Sequence, residues 1–396
     1  MTDVPVVGDA ANPGFEGVSP RPGQAIPATG AWREGDPPGH RQFAHLGPFR
    51  PERGGELDVT MAYETWGTLN ADRSNAVLVL HALTGDSHIR GPAGPGHPTA
   101  GWWTALIGPG GPVDTDRFFV VAPNVLGGCQ GTTGPASLAP DGEPWGARFP
   151  YLTIRDQVRA EMVLADQLGI ETFALVIGGS MGGMRVLEWA VEAPHRVARI
   201  GAIATAARST ADQIAWAHAQ LAAIRNDPNF LGGNYYHQPD GFGPHVGLGI
   251  ARQIAHTTYR SAEELEYRFG HEAQGSEEPL GGGGRYAVQS YLEHHADKLA
   301  LRFDANSYLV LTEAMLSHDV GRDRGGVAAA LGQATARALV VAVSSDRLFL
   351  PAQSEEISRF MPHATPVHMV HSAYGHDGFL IEFDQLAPVI KRFVET

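Results

Sequence analysis

One serine of the chain lies in a glycine-rich segment of the kind that makes a hydroxyl group a nucleophile. The segment Gly178-Gly-Ser-Met-Gly182 stands between an apolar run and a helical pattern. A serine at a sharp strand-to-helix turn has a strained backbone, and its neighbours pass so close that side chains larger than glycine's would clash. The free N–H groups at the start of the helix can stabilise a developing oxyanion. We therefore predict that Ser180 is a nucleophile, with a glycine-rich packing turn as the alternative.

The residues that would activate this serine lie further along the chain. A serine nucleophile needs a histidine base, and the histidine needs a carboxylate that orients it. In proteins with this type of turn the chain order is serine, acid, histidine. Asp346 follows an apolar run at 338–343, and His376 follows another at 366–370. Active sites of α/β sheets form at the carboxyl ends of strands. We therefore predict that Asp346 and His376 complete a catalytic triad, with a simple turn residue as the alternative for Asp346.

Two backbone N–H groups are the predicted donors of an oxyanion hole. The first is that of Met181, directly after the nucleophile. The second comes from the loop after an earlier strand, His81-Ala-Leu-Thr-Gly-Asp-Ser-His88, in which Leu83 is the best candidate. Backbone donors leave no side-chain signature, so both assignments depend on position in the fold alone.

Other chemically capable residues are interpreted as structural. His368 and His371 lie within and at the end of an apolar run, which makes them poorer candidates for the base. Cys129 has no base nearby in the sequence and is expected to be a structural thiol. The group Glu293-His-His295 with Asp297 lacks the spacing of a strong metal site. A solvated helix face is expected there, and no metal is predicted.

Strands and helices alternate around these residues. Short apolar runs typical of buried parallel strands occur at residues 76–80, 118–122, 174–177 and 199–203. Helical patterns between them indicate an α/β fold with right-handed crossovers. The alternation stops near residue 206, and strands return after residue 326. We predict a poorly ordered tail or a surface arm at 1–40, a core in two parts at 41–205 and 327–396, and an inserted helical lid at 206–326.

Composition excludes several classes of function. Among 396 residues, 29 Lys and Arg stand against 43 Asp and Glu, and the net charge of −14 disfavours general capture of nucleic acid or of an anionic membrane. The single cysteine excludes intramolecular disulfides and fits a reducing compartment. No apolar stretch approaches the roughly 20 residues that span a bilayer, and the first residues have no signal pattern. We expect a cytoplasmic protein with no nucleic-acid or membrane partner.

Six short motifs are spread along most of the chain. They are His81-Ala-Leu-Thr-Gly85, Asn124-Val-Leu-Gly-Gly-Cys-Gln-Gly131, Gly178-Gly-Ser-Met-Gly-Gly-Met184, Ala251-Arg252, Ser345-Asp346 and Gly375-His-Asp377. Together they closely resemble the homoserine O-acetyltransferase family, whereas generic α/β-hydrolases share only the segment around the serine. The resemblance implies an α/β-hydrolase fold, with a mostly parallel central sheet flanked by helices and an inserted helical lid.

The resemblance also implies an activity and two further site residues. The family transfers acetyl from acetyl-CoA, a co-substrate, to the hydroxyl of L-homoserine, an early step in methionine synthesis, and needs no further cofactor. An arginine and the aspartate beside the catalytic histidine bind the amino acid, and these match Arg252 and Asp377. Since homoserine is a zwitterion, a guanidinium can pair with its carboxylate and a carboxylate with its ammonium. Tyr259, on the same helix face as Arg252, is a further candidate.

The sequence leaves other specificities open. Succinyl-CoA as the donor or serine as the acceptor would need only a few changes in the pocket. A plain esterase could use the same triad. A non-catalytic binding module with this fold is disfavoured by the complete acid and base motifs. The lid helices of the family commonly form a dimer interface, so a homodimer through the lid is expected.

Overall fold

The structure is a computed structural model that describes residues 25–396. A sheet of eight strands forms its centre. With the separate pair β4 and β5, the strands are β1 (Gln42–Phe49), β2 (Leu57–Trp66), β3 (Ala76–Leu80), β4 (Ile107–Gly108), β5 (Val113–Asp114), β6 (Phe119–Pro123), β7 (Leu175–Gly179), β8 (Arg199–Ile203), β9 (Arg337–Val343) and β10 (His368–Val370). Their order in the large sheet is β1-β2-β6-β3-β7-β8-β9-β10. The pairs β1–β2 and β2–β6 are antiparallel and the other pairs are parallel.

Helices flank this sheet and fill the long connection between β8 and β9. They are α1 (Ile154–Gln167), α2 (Met181–Glu192), α3 (Ala211–Arg225), α4 (His245–Tyr259), α5 (Ala262–Phe269), α6 (Ala287–Ala300), α7 (Ala305–Leu316), α8 (Val327–Leu331), α9 (Pro351–Phe360) and α10 (Phe383–Glu395). We use "lid segment" for residues 206–326, which contain α3 to α7. The side chains of α8 instead pack into the apolar cluster beneath the sheet. None of the helices in the described residues is long and apolar enough to cross a membrane.

The apolar runs form strands that are buried on both faces. Ala76, Leu78 and Leu80 of β3 pack into a cluster with α1 and α2, whereas Val77 and Val79 pack into a second cluster with α10. Successive side chains of a strand point to opposite faces, so both faces of such a strand must be covered by helices. A third cluster joins residues at the carboxyl edge of the sheet to the lid segment. The predicted α/β fold with a mostly parallel sheet is therefore confirmed.

The first strand is one element that the apolar pattern did not predict. Most side chains of β1 are exposed or half-buried, so the strand has no continuous apolar run. Its backbone is held instead by antiparallel pairing with β2, from Gln42 opposite Tyr63 to Phe49 opposite Leu57. An edge strand of this kind depends on a neighbour that lies elsewhere in the sequence.

Part of the segment expected to be a tail or an arm lies on the lid segment. Residues 1–24 are outside the described residues. Residues 25–40 contain no helix or strand, but they make specific contacts. The N–H of Gly30 donates to the carbonyl of Phe303 (3.1 Å), and the hydroxyl of Thr29 donates to Asp304 (2.8 Å). Residues 25–40 therefore form an arm held against the lid segment. The prediction of a poorly ordered tail is wrong for these residues.

Candidate active site

The nucleophile candidate lies at the turn between β7 and α2. Ser180 has φ 57° and ψ −124°, a left-handed backbone that is strained for a residue with a Cβ. The glycines around it are required: a Cβ on Gly182 would lie 2.1 Å from the carbonyl oxygen of Leu80, and one on Gly178 would lie 2.6 Å from the same atom. The N–H of Ser180 donates to the carbonyl of Ile203 on the neighbouring strand at 3.0 Å. The turn thus fixes the serine at the carboxyl edge of the sheet.

The acid and base candidates lie on the loops that follow β9 and β10. His376 Nδ1 is 2.6 Å from Asp346 Oδ2, and both side chains are buried. The other oxygen, Oδ1, accepts hydrogen bonds from the N–H groups of Leu348 (2.9 Å) and Phe349 (2.8 Å). Because a carboxylate only accepts, the imidazole carries its proton on Nδ1. The neutral ring therefore leaves Nε2 free to accept a proton.

Ser180 and His376 do not form a hydrogen bond with each other in this structure. Within residues 25–396, His376 Nε2 is buried and has no hydrogen-bond partner. The hydrogen bond between a catalytic base and its nucleophile is often long without substrate and shortens in the substrate complex. His376 and Ser180 line the same cavity. We call this space the catalytic cavity; its walls include Leu83, Ser180, Arg252, Tyr259, His376 and Asp377.

Two carboxylates control the proton affinity of the base. Burial lowers the pKa of His376, but the charge and hydrogen bond of Asp346 outweigh burial, and the charge of Asp377 adds to them. The pKa of His376 therefore lies above its ordinary value of 6.5. The histidine is a stronger base than a free imidazole.

We expect acylation of the serine to accelerate as the pH rises. Only the neutral imidazole can accept the proton of the serine hydroxyl, and His376 is neutral above its raised pKa. The acylation rate with an activated acetyl ester, measured by stopped flow, should increase to a plateau with a midpoint above 6.5. Melting temperatures at each pH provide the control for loss of the fold. A rate that falls with pH, or a midpoint below 6.5, would contradict this assignment.

The two predicted oxyanion-hole donors have no acceptor within the protein. Leu83 lies in the loop after β3 and lines the catalytic cavity, and Met181 is the first residue of α2. Neither N–H group donates to any other residue in the described part of the chain. The positive end of α2 favours negative charge at the same place. Both N–H groups are thus available to a reacting oxygen.

One buried guanidinium of the catalytic cavity has two nitrogen atoms without a hydrogen-bond partner. Arg252, on α4, is 7% exposed, and its Nε and Nη1 atoms make no hydrogen bond within residues 25–396. Its Cζ atom lies 5.5 Å from the ring centre of Tyr259, whose ring centre is 5.9 Å from that of His376. A buried charged group with unsatisfied hydrogen-bond donors is costly. The arginine is therefore ready to bind an anionic group close to the base.

Asp377 has a partner that the sequence analysis missed. Arg260 Nε lies 3.4 Å from Asp377 Oδ2, and both side chains are buried. The guanidinium also lies 3.7 Å from Glu264, through Nη1. The position of Arg260 next to Tyr259 is the only signal that the sequence offers. The pairing itself appears only once the fold brings the end of α4 to the loop of the histidine.

The turn after α4 is attached to the loop that carries the base. The hydroxyl of Ser261 donates to the carbonyl of Ala373. Gly375 has a φ of 66°, and a Cβ at this position would lie 2.4 Å from the carbonyl oxygen of Tyr259. These contacts leave no room between the two segments. The lid segment and the loop of His376 therefore pack as one unit.

Two histidines in the cavity wall are held neutral. The ring centres of His256 and His295 are 3.9 Å apart. Burial, followed by the charge of Arg252, lowers the pKa of both, to about 2 for His295. The sequence predicts a solvated helix face for residues 293–297. Glu293 and His294 are indeed exposed, but the expectation is wrong for His295, because this residue lines the catalytic cavity.

A buried group of possible metal ligands lies outside the catalytic cavity. Glu64, His88 and His97 place ligand atoms within 4.8 Å of one another. Most of their polar atoms already have partners, with the exception of the buried His97 Nδ1. His88 Nδ1 lies 3.0 Å from Glu64 Oε2. His97 Nε2 accepts a hydrogen bond from the N–H of His40 at 2.8 Å. We interpret the group as an internal polar cluster that attaches the arm to the sheet.

The environment of the single thiol in the chain is that of an unreactive cysteine. Cys129 is buried, and its burial together with the charge of Asp304 raises the pKa of the thiol to about 12. Reactive cysteines instead have a lowered pKa and some exposure. This environment agrees with a structural role.

A second, mostly apolar cavity adjoins the catalytic cavity. Leu83 and Tyr259 line both spaces. The other walls of the second cavity include Met184 on α2, Trp216 on α3 and Phe349, whose ring centre lies 5.0 Å from that of His376. We call it the apolar cavity. It gives the nucleophile a neighbouring space suited to an uncharged chain.

The sheet, the strained serine turn, and the candidate acid and base on successive loops define an α/β-hydrolase fold protein, with Ser180 as the candidate nucleophile. A family model described as the alpha/beta hydrolase fold matches residues 75–383. The homoserine O-acetyltransferase of Thermobifida fusca (strain YX) is 62% identical over 371 residues, which cover 93% of this chain and 97% of the relative. That of Leifsonia xyli subsp. xyli (strain CTCB07) is 58% identical and covers 92% of each chain. The chain belongs to the homoserine O-acetyltransferase family.

Solved structures of two kinds share this architecture. The homoserine O-acetyltransferase from Bacillus anthracis superposes with a TM-score of 0.83 at 27% identity, covering 90% of this chain and 97% of the other. Esterase E22 superposes with a TM-score of 0.82, also at 27% identity, covering 89% and 99%. The same fold therefore carries both transferases and esterases, and the cavity residues must distinguish them.

Proposed function

We propose that this protein transfers an acetyl group from acetyl-CoA to the hydroxyl of L-homoserine through an acyl-serine intermediate. The observation that carries the proposal is the buried guanidinium of Arg252, whose Nε and Nη1 atoms have no hydrogen-bond partner within the described residues. It lies in the cavity that also contains Ser180, His376 and Asp377. An esterase for simple esters has no need of a buried cation and a buried anion beside its nucleophile. A zwitterionic amino acid matches both. The names of the 50–62% identical relatives support the same conclusion.

In the first half-reaction the serine takes the acetyl group. His376 Nε2 removes the hydroxyl proton of Ser180 as Oγ attacks the thioester carbonyl. The N–H groups of Leu83 and Met181 stabilise the negative oxygen of the tetrahedral intermediate. The carbon–sulfur bond then breaks, and CoA leaves as the thiol with the proton from the imidazole. The apolar cavity suits the uncharged arm of the donor.

In the second half-reaction homoserine replaces CoA. Arg252 binds its carboxylate and Asp377 its ammonium group, which directs the side-chain hydroxyl towards the acyl-serine. His376 removes the hydroxyl proton as this oxygen attacks the ester carbonyl. The bond from carbon to Ser180 Oγ breaks, the serine regains a proton from the imidazole, and O-acetylhomoserine leaves. A buried cavity lets the alcohol compete with water.

Removal of the Arg252 guanidinium should slow the transfer to homoserine but not the acylation of the serine. In Arg252→Met we expect kcat/KM for L-homoserine to fall about 10²–10³-fold, because a buried charge pair with the acceptor is lost. The acylation rate with acetyl-CoA alone should stay within about threefold of the parent, since Arg252 does not touch the donor carbonyl in the proposed mechanism. Initial-rate and single-turnover measurements test both expectations. The melting temperature should change little, because the variant loses the contact of Arg252 with Tyr259 but also removes a buried charge with two unsatisfied donor atoms.

Arg252→Lys is the matched variant for this experiment. It keeps the charge but loses the planar fork, so it should recover only part of the homoserine affinity. A loss of acylation equal to the loss of transfer in Arg252→Met would contradict the acceptor role.

Thiol release from purified protein tests the proposed activity against its rivals. With acetyl-CoA alone we expect about one thiol per site, and steady release only after addition of L-homoserine. Steady release without an acceptor would instead identify an esterase, the activity named for the structurally similar esterase E22. Parallel assays with succinyl-CoA and with L-serine test the other specificities. Faster turnover with either would reject the proposed donor or acceptor.

We also propose that the protein acts in the cytoplasm, in methionine biosynthesis, as a homodimer formed through the lid segment. The buried, unpaired Cys129 suits a reducing compartment. Exposed apolar side chains on α3 and α4 support the dimer: Ile214, Trp216, Val246 and Ile250. Analytical ultracentrifugation of the parent and of Val246→Asp tests it, and a monomeric parent would reject it.

A further inference from the structure

The loop that supplies Leu83 is held by a buried histidine that takes no part in the proton transfers. His81 directly follows β3 and is 3% exposed. Its Nδ1 atom is 2.8 Å from the carbonyl oxygen of Ala82, and the N–H of Val125 donates to its Nε2 atom at 3.1 Å. A carbonyl only accepts and an N–H only donates, so the ring carries its proton on Nδ1. The two neighbours select one neutral tautomer.

The carbonyl held by His81 belongs to the same peptide group as the N–H of Leu83. A trans peptide is planar, and its C=O and N–H point in opposite directions. The oxygen of Ala82 accepts a second hydrogen bond from the N–H of Gly85 at 2.9 Å. Two donors on this oxygen therefore fix the direction of the Leu83 N–H at the other end. Rotation of the peptide would break both bonds and turn the N–H away.

A buried ion pair holds the preceding peptide group. Arg185 is fully buried on α2 and donates from Nη2 to the carbonyl oxygen of His81 at 2.6 Å. Its Nη1 lies 2.5 Å from Glu161 Oε1, and Glu161 Oε2 accepts from the indole of Trp189 at 2.8 Å. Burial, aided by the charge of Arg185, lowers the pKa of His81 to about 3. The tautomer that holds Ala82 thus persists at neutral pH.

We infer that His81, supported by Arg185, is a positioning residue for the oxyanion hole: it holds the Ala82–Leu83 peptide so that its N–H meets the reacting oxygen. This inference rests on the proposed function only in requiring a tetrahedral adduct on Ser180. Negative charge on the reacting oxygen develops in the transition state. Loss of the hydrogen bond therefore slows the acyl-transfer steps and leaves donor binding unchanged.

Two substitutions separate the roles of the ring nitrogens. In His81→Asn an amide N–H can replace Nδ1–H, whereas in His81→Gln an amide oxygen can replace Nε2 and the donor to Ala82 is lost. One oxyanion-hole donor is worth about 10²–10³ in kcat. We expect kcat to fall about 10²-fold in His81→Gln and to stay within about 10-fold of the parent in His81→Asn, with KM for acetyl-CoA unchanged in both.

An alkyl boronic acid tests the hole without donor or acceptor. It forms a tetrahedral adduct with Ser180 whose oxygen occupies the oxyanion hole, so its Ki should rise in parallel with the loss of kcat. His318→Asn is the matched control, because His318 is also buried and bonds one carbonyl, that of Ala206, at 3.1 Å. It should change the melting temperature without changing the Ki.

Three results would overturn the inference. They are equal losses in the Asn and Gln variants, an unchanged boronate Ki in His81→Gln, and a loss of kcat that follows the melting temperature alone. If His81→Gln does not fold, the boronate Ki of Arg185→Lys tests the inference instead. Lysine keeps the charge beside Glu161 but cannot also reach the carbonyl of His81. An unchanged Ki in Arg185→Lys would then overturn the inference. If the unsubstituted protein binds the boronate but does not use acetyl-CoA, the proposed function is rejected. The boronate test of His81 remains valid in that case.

Discussion

Ser180→Ala should abolish acyl transfer, lowering kcat by at least about 10⁴-fold. The reason is chemical: the variant cannot form the covalent intermediate, and the remaining N–H donors can only assist a slow direct attack. Intact-mass measurement after mixing with acetyl-CoA alone should show one added acetyl group on the parent and none on the variant. Peptide mapping should place the group on residue 180.

A second serine provides the control for this experiment. Ser358 lies on α9, in the wall of neither the catalytic nor the apolar cavity, and its hydroxyl donates to the carbonyl of Thr365 at 2.7 Å. Ser358→Ala should keep the acetylated species and most of the activity. An acetylated Ser180→Ala protein, or a parent that turns over without any acylated form, would reject the covalent mechanism.

Asp346→Asn should lower kcat by about 10³–10⁴-fold without unfolding the protein. The asparagine oxygen can still accept from the N–H groups of Leu348 and Phe349, so the loop is retained. Its amide group, however, can donate to His376 Nδ1 and favours the tautomer with the proton on Nε2. That tautomer cannot accept the proton of the serine hydroxyl. The steady-state rate with both substrates measures the loss.

The pH profile supplies a second measurement on the same variant. The Asp346 carboxylate raises the pKa of His376. The midpoint of the residual activity in Asp346→Asn should therefore shift to lower pH than in the parent. Unchanged melting temperature is the control for the fold. Activity within about 10-fold of the parent, with an unshifted midpoint, would show that Asp346 is not the orienting acid.

The positions of the candidate nucleophile, acid and base are predictable from the sequence because each follows a short apolar run. A run of this kind forms a buried strand, and the carboxyl ends of parallel strands meet at one edge of the sheet. Asp346 and His376 come together in this way, at 2.6 Å. The fold class follows from the same runs.

The supporting contacts are not predictable, because each joins segments that are distant in the sequence. Nothing near Arg260 indicates that it pairs with Asp377, and nothing near Arg185 indicates that it reaches the carbonyl of His81. His295 looks like part of a solvated helix until α6 is seen to carry it into the cavity wall. Polar residues of this kind acquire their partners only through tertiary packing.

The attachment of the Tyr259–Ser261 turn to the loop of His376 has a consequence for protein engineering. Transplanting residues 206–326 from a relative would bring a foreign turn against the host's own loop, where Gly375 leaves no space for adjustment. A graft intended to change the accepted alcohol should therefore include residues 372–377 as well. In the proposed mechanism, acceptor binding and proton transfer therefore depend on two segments that must be exchanged together, although they are separate in the sequence.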